Sequence, residues 1–273
     1  MKKIHLFLSL FTLLFLYSCE EVIDVDLTTA DPKLVVEATI KWKKGTTGKE
    51  QRIKLSTTTS YYSTEIPVVS GATITVKNST NTTFNFTEVG TTGEYVCYNF
   101  IPKIEEVYTL TVISKGETYT ATETLKSVAP ITEVEQKNDG GITGKDIQIK
   151  TYFTDPVLET NYYLYQYSYT GKIKQTFYAD EDSYFQGNRF FSLSQNDELE
   201  IGDEVSIVHY GISKTYYNYM NILIGIAGGG GGGPFQAPPA TVRGNIINVT
   251  DKDNYALGFF SLSEIDTRTY IIE

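Results

Sequence analysis

Few side chains in this sequence can perform covalent chemistry, and they lie far apart. The chain has two cysteines and two histidines; His5 belongs to an apolar N-terminal run, which leaves His209 for a folded domain. A Ser-His-Asp site needs a histidine beside a nucleophile, but His209 lies in a strand-like stretch where packing is the alternative role. Gly-x-Ser-x-Gly and His-Glu-x-x-His motifs do not occur. The sequence therefore predicts no catalytic residue, metal ligand or cofactor, and a two-carboxylate glycoside hydrolase is the catalytic alternative.

Cys19 is the residue whose surroundings point to a modification. Lys2 and Lys3 precede an apolar run from position 4 to 17, which is typical of a secretory signal peptide over residues 1–18. Leu16-Tyr17-Ser18-Cys19 resembles the lipobox of bacterial lipoproteins, although that pattern usually has a smaller residue than Tyr17. The resemblance implies that Cys19 becomes the first mature residue and carries lipid such as palmitate. An ordinary signal peptide followed by a chance cysteine is the alternative.

Two acidic residues follow the cysteine. Glu20 and Glu21 resemble the signal that sends Bacteroidota lipoproteins to the outer face of the outer membrane. We therefore expect a lipid-anchored protein at the cell surface, with the periplasmic face as the alternative. Residues 19–32 are interpreted as a lipidated tether.

The charge balance excludes some partners. Removing residues 1–18 leaves 21 basic and 33 acidic residues, a mature net charge of −12. An acidic surface argues against nucleic acid as a partner and against electrostatic binding to anionic lipid. The acidic runs at 180–182 and 251–253 are interpreted either as calcium sites or as solvated loops.

Residues 33–129 have the period of two that is typical of β-strands. Ala72, Ile74 and Val76 alternate with polar residues, and so do Leu110 and Val112. About seven short strands in roughly a hundred residues predict an immunoglobulin-like β-sandwich. The Cys-Trp-Cys core of antibody domains is absent, so the pattern predicts the architecture alone.

Residues 130–273 are predicted to form a second, β-rich domain that opens after Ala129-Pro130. One strand in it carries four tyrosines on a single face: Tyr163, Tyr165, Tyr167 and Tyr169. Aromatic rings stack on sugars and flat ligands, so this face is a possible ligand platform. The alternative is a packed strand whose hydroxyls reach the rim. Residues 255–260 and 267–272 are predicted to be two strands with a break between them.

One helix is predicted, at about 213–227, from apolar residues that recur every three to four positions. Ser213 is a candidate N-cap and Gly228 a candidate helix end. A Gly/Pro-rich loop follows at 228–239, and it is a possible partner-binding loop. The loop residues singled out are Gly228, Gly233, Pro234 and Phe235.

Several segments together resemble a known family. These segments are 18–27 with 33–38, 69–76, 108–112, the tyrosine-rich helix after Ile212, 233–235 and 256–260. They are similar to the Bacteroidota outer-membrane lipoproteins catalogued as domain-of-unknown-function family 4249. The resemblance implies no catalytic motif. It implies a role beside TonB-dependent outer-membrane transporters, accessory to nutrient uptake.

The sequence thus leaves three functional hypotheses. The first is a non-catalytic surface protein that binds a ligand or assists a TonB-dependent transporter. The second is a structural or adhesive protein of the cell envelope, and the third is the glycoside hydrolase. The ligand itself is not indicated by any residue pattern.

Overall fold

The computed structural model describes residues 31–60, 63–141, 144, 146–172, 175–227 and 242–273. Within them the chain is mainly β, as the sequence predicts, and residues 32–273 form one compact unit. The division at Ala129-Pro130 stays a prediction. No helix among these residues has the length and apolar character needed to cross a bilayer.

The first part of the chain is a two-sheet sandwich. Its strands are β1 (Leu34–Lys43), β2 (Gln51–Thr57), β3 (Thr73–Asn78), β4 (Thr83–Glu88), β5 (Glu94–Cys97), β6 (Val107–Ser114) and β7 (Glu117–Thr124). The order β1-β2-β5-β4 continues into β3-β6-β7, which is the A-B-E-D and C-F-G order of the immunoglobulin fold. β4 joins the two sheets because its start pairs with β3 and its end with β5. The predicted immunoglobulin-like architecture is confirmed.

The alternating residues of these strands build the sandwich core. Val36, Ala38 and Ile40 of β1 are fully buried, and they face Val76 and Leu110 of the opposite sheet. Each strand therefore has one apolar face inward, as expected from the period of two. Burial of this apolar area is the main stabilising term of such a sandwich.

The second part of the chain adds a four-stranded layer and a three-stranded layer. Its elements are β8 (Ile131–Gly140), β9 (Asp146–Thr154), β10 (Tyr162–Tyr169), β11 (Gln175–Glu181), a 3₁₀ turn (Asp182–Tyr184), β12 (Arg189–Asn196), β13 (Glu204–Ile212), α1 (Lys214–Ala227), β14 (Ile247–Asn248) and β15 (Leu257–Ile271). The order β11-β10-β13-β15 forms one layer, and β12-β9-β8 forms the other. α1 packs on the outer face of the four-stranded layer.

β15 belongs to both parts of the chain. Its first half pairs in parallel with β1 from Val35↔Leu257 to Lys43↔Ile265. Its second half pairs antiparallel with β13 from Tyr210↔Ile265 to Glu204↔Ile271. One strand thus completes the sheet of the sandwich and the sheet that carries α1.

The predicted break within residues 255–272 is wrong, because β15 is a single 15-residue strand. Two charged residues in the predicted break, Glu264 and Asp266, are buried and hydrogen-bonded. Glu264 accepts hydrogen bonds from the Val128 amide (3.0 Å) and the Lys44 ammonium (2.9 Å). Asp266 accepts one from the Ile131 amide (2.8 Å). These two carboxylates tie the segment around residue 130 to β15.

A glycine permits the close approach of that connecting segment to β13. A Cβ at Gly211 would overlap the carbonyl group of Ser127. Glycine at this position therefore lets the backbone of the connecting segment lie directly on the strand.

Candidate functional site

The four tyrosines of β10 lie in the core between the two layers, with exposed fractions of 0–3%. They pack against Phe153 of β9 and Val205 of β13. The ligand-platform interpretation is therefore wrong, and the alternative of a packed strand is correct. The hydroxyls do not reach the rim, since their partners are buried as well.

Three of these hydroxyls are hydrogen-bonded to the layer opposite or to its loop. Tyr163 donates to the Asp155 carboxylate (2.5 Å), and Tyr167 donates to the Thr151 hydroxyl (3.0 Å). Tyr169 and Ser194 share a hydrogen bond. The Tyr165 hydroxyl is buried and has no hydrogen-bond partner among the described residues. Burial, followed by the Asp155 hydrogen bond, raises the pKa of Tyr163.

His209 is enclosed by this tyrosine cluster. Its ring lies 4.9 Å from the Tyr165 ring and 4.6 Å from the Phe153 ring, centroid to centroid, and the side chain is fully buried. Neither ring nitrogen has a hydrogen-bond partner within the described residues. Burial lowers the pKa of His209 to about 3, and the nearby Ala129 backbone opposes that shift in part. A neutral imidazole out of contact with solvent has a packing role and lacks the access that a catalytic base needs.

The other candidate chemical groups are also placed by the structure or lie outside it. Cys97 is buried, and its burial raises the pKa of the thiol, which makes it a weak nucleophile. The described residues contain no group of three or more His, Cys, Asp or Glu side chains able to hold a metal ion. The predicted lipidation residue Cys19, the export residues Glu20 and Glu21, and the loop residues Gly228, Gly233, Pro234 and Phe235 lie outside the described residues.

The predicted helix is confirmed as α1, and its start is fixed to the sandwich. The Ser213 hydroxyl accepts a hydrogen bond from the Tyr216 amide (3.1 Å), the N-cap that the sequence predicts. The same hydroxyl donates to the Glu123 carboxylate of β7 (2.8 Å), and Thr215 donates to it as well (3.2 Å). Tyr216 and Met220 of the helix are buried against Phe259 of β15.

A groove remains between α1 and the sheet that it covers. It encloses about 830 Å³. The helix contributes Tyr219, Leu223 and Ile224 to one wall, and the floor includes Leu164, Phe177, Tyr210 and Phe259. The groove is thus lined by aromatic and aliphatic residues from five strands and a helix. This is the face of β10 opposite the four tyrosines.

The edge of the groove that lies on β1 is polar. Glu37, Thr39 and Lys41 point to it from alternate positions of β1. The Lys41 ammonium lies 5.5 Å from the centroid of the Tyr210 ring, within cation–π range. The Tyr210 hydroxyl in turn donates to the Gln166 side-chain oxygen (2.6 Å). The groove therefore joins an apolar interior to an edge with a fixed charge.

Two loops at one end of the tyrosine cluster also expose apolar side chains. Leu158 and Tyr184 are 93% and 94% exposed. The loops are held by buried carboxylates: Asp155 accepts from the Gly187 amide (2.9 Å), and Asp182 accepts from the Asn161 amide (2.7 Å). Exposed apolar residues mark a contact surface where they form a contiguous patch, so these two loops are a candidate for one.

Comparison with known proteins identifies a family. The profile of the family described as "Domain of unknown function (DUF4249)" matches residues 20–269. A two-domain fibronectin type III segment of chicken tenascin is similar at 11% identity, covering 66% of this chain and 90% of that chain, with a TM-score of 0.22. A cytokine receptor complex is similar at 7% identity, covering 67% of this chain and 86% of that chain, with a TM-score of 0.26. No curated protein sequence matches the chain.

The tyrosine cluster predicts opposite effects for two matched substitutions. Tyr165→Phe should raise the free energy of unfolding by about 1 kcal/mol, because it removes a buried hydroxyl that has no partner among the described residues. Tyr163→Phe should lower it by about 2 kcal/mol, because it leaves the buried Asp155 carboxylate short of a donor. Urea denaturation measures both. Equal destabilisation by the two variants would contradict this description of the core.

His209 predicts a pH dependence of stability. In the unfolded chain its pKa is close to 6.5, and in the folded chain burial lowers it to about 3. Below pH 6.5 His209 is therefore protonated in the unfolded state but stays neutral in the folded state. Between pH 6.5 and about pH 3, His209 thus lowers the free energy of unfolding by about 1.4 kcal/mol for each unit that the pH falls.

Denaturant melts of the wild type and His209→Leu at several pH values check this prediction. The difference between the two proteins should change with that slope below pH 6.5 and stay constant above it, since the carboxylates are common to both. Parallel curves across the whole range would contradict a buried, unpartnered His209.

Proposed function

We propose that this chain, which belongs to the family described as Domain of unknown function 4249, is a non-catalytic lipoprotein that captures a small apolar ligand in the groove beneath α1. The groove itself is the observation that supports the proposal. Its volume of about 830 Å³ lies within the range of about 300–1,000 Å³ found for small-molecule sites. Its lining of aromatic and aliphatic side chains with a few polar groups also fits that class of site.

Ligand capture in such a groove would be driven by release of water from apolar surface. Tyr219, Leu223 and Ile224 are half-buried, whereas Tyr216 and Met220 beneath them are in the core. The half-buried residues would therefore become fully buried when a ligand binds. At roughly 25 cal/mol per Å², the additional burial of a few such side chains contributes a few kcal/mol to binding, and burial of the ligand's own apolar surface adds to it.

The composition of the groove favours binding over hydrolysis. A glycoside hydrolase needs two carboxylates about 5–10 Å apart on either side of the bond to be cut. Among the described residues that line the groove, Glu37 is the one carboxylate. His209 is buried away from it in the tyrosine cluster.

The sequence supplies the cellular setting of the proposal. Lipid on Cys19 would anchor the chain, and Glu20 and Glu21 would send it to the outer face of the outer membrane. The family resemblance adds the role of accessory subunit to a TonB-dependent transporter. In that setting the groove would collect a ligand at the cell surface and hold it near the transporter.

A structural or adhesive envelope protein is the second candidate, and the exposed loop residues Leu158 and Tyr184 favour it. Such a protein would use these loops for contact and leave the groove unused. The two candidates therefore assign function to different surfaces of the molecule.

Substitutions on adjacent residues of α1 test ligand capture. Leu223 lines the groove, whereas Ile222 is 50% exposed and is not part of its lining. Leu223→Asp should weaken binding of the neutral fluorescent probe N-phenyl-naphthylamine at least about tenfold, because it places a charge in the apolar interior. Ile222→Asp should leave binding unchanged. Similar binding by all three proteins, with thermal melts confirming that they are folded, would rule the groove out as the site.

Purification from detergent-solubilised outer membranes tests the proposed partner. The tagged full-length lipoprotein should recover one TonB-dependent transporter in nearly equal amount, as judged by quantitative mass spectrometry. Recovery of the lipoprotein by itself would favour the structural or adhesive candidate. Recovery of many envelope proteins would also favour it, if Leu158→Asp abolishes their binding.

A further inference from the structure

The apolar groove continues into a second, polar groove on the sandwich. This second groove encloses about 480 Å³ on the outer face of β1, β2 and β5. Glu37, Thr39 and Lys41 line both cavities. A molecule lying along the apolar groove therefore meets charged side chains at this shared boundary.

Three of the six charged residues that line the polar groove are paired with one another. The Arg52 guanidinium contacts Glu50 and Glu94, both at 2.6 Å. Lys54 stands directly opposite Glu37 in the pairing of β1 with β2. Neither Lys41 nor Lys54 has a carboxylate of the described residues within 4.0 Å of its ammonium group. Lys41 differs from Lys54 because it also lines the apolar groove.

The Lys41 ammonium is also partly removed from water. It approaches the face of the Tyr210 ring at 5.5 Å, and packing around it lowers its pKa from the ordinary lysine value, while the side chain remains accessible at the groove edge. A charge in such surroundings interacts more strongly with an opposite charge than one in open solvent does.

We infer that the ligand is an anionic amphiphile, whose apolar body lies beneath α1 and whose carboxylate or similar anionic head binds Lys41. This inference rests on the proposed function and specifies its ligand class. The head would pair with Lys41, whose ammonium group has no carboxylate of the described residues within 4.0 Å. The body would cover the half-buried wall formed by Tyr219, Leu223 and Ile224.

Glu37 does not prevent this arrangement. It is four residues from Lys41 on the same strand, a separation of about 13 Å at roughly 3.3 Å per residue. That distance exceeds the Debye length of about 8 Å at physiological ionic strength. The mature net charge of −12 lowers the rate of encounter with an anion, but its long-range part is screened in the same way.

Three probes that share an alkyl tail but differ in the charge of the head group test the inference: decanoate, decanol and decyltrimethylammonium. Each displaces N-phenyl-naphthylamine from the full mature chain in a fluorescence titration. Decanoate should bind about tenfold more tightly than decanol, and decyltrimethylammonium more weakly than either. Lys41→Met should remove the advantage of decanoate, so that the affinities for decanoate and decanol become nearly equal. Lys54→Met, which neutralises a neighbouring lysine of the polar groove, should keep it.

The outcomes separate this inference from the proposed function. If the dye binds and Leu223→Asp weakens it, but decanoate binds no better than decanol, the inference fails and the binding function stands. If Leu223→Asp has no effect on the dye, the proposed function fails. Sedimentation velocity tests whether a second copy of the chain occupies the groove instead. A dimer that prevents decanoate binding and that Leu223→Asp dissociates would overturn the inference. A monomer that binds decanoate supports it.

Discussion

The parallel pairing of β1 with β15 is the constraint on which the rest of the structure depends. Residues more than two hundred positions apart form nine consecutive pairs, from Val35↔Leu257 to Lys43↔Ile265. The same strand then pairs with β13, so the sandwich and the layer that carries α1 are parts of one continuous sheet. Glu264 and Asp266 fix the connecting segment to it through buried, charge-assisted hydrogen bonds.

This shared strand also determines where a groove can form. Phe259 on β15 points to the side of the sheet that α1 covers, next to Glu37 and Thr39 of β1. The Ser213 cap, held by Glu123, sets where the helix begins. Because α1 leaves the outer face of β1 uncovered, the apolar interior of the groove and its polar edge come together there. The proposed ligand class follows from that combination.

The local structure was largely readable from the sequence. The period of two in β3 and β6 and the period of three to four in α1 predict the observed elements, because each period reflects one buried face. The single β15 was not predicted: Ser261, Ser263, Glu264 and Asp266 lie in the predicted break, yet they are buried within the strand. The two carboxylates can be buried because they accept hydrogen bonds from Val128 and Ile131, which are distant in sequence.

The candidate site was missed for a similar reason. Alternation along β10 shows that its two faces differ, but it does not show what covers each face. The tyrosine face is closed because Asp155, Thr151 and Ser194 receive or share its hydroxyl bonds from the opposite layer or its loop. The groove on the other face combines residues near positions 37–41, 164–178, 210–224 and 259. Only the long-range strand order brings them together.

The most direct test of the account is to identify what the protein carries in its own membrane. The full-length lipoprotein and its Leu223→Asp variant would be purified under identical conditions, and their small-molecule extracts compared by liquid chromatography and mass spectrometry. Ligand capture in the groove predicts an apolar compound with an anionic head that is enriched with the wild type and lost from the variant. Indistinguishable extracts from the two folded proteins would contradict ligand capture in the groove.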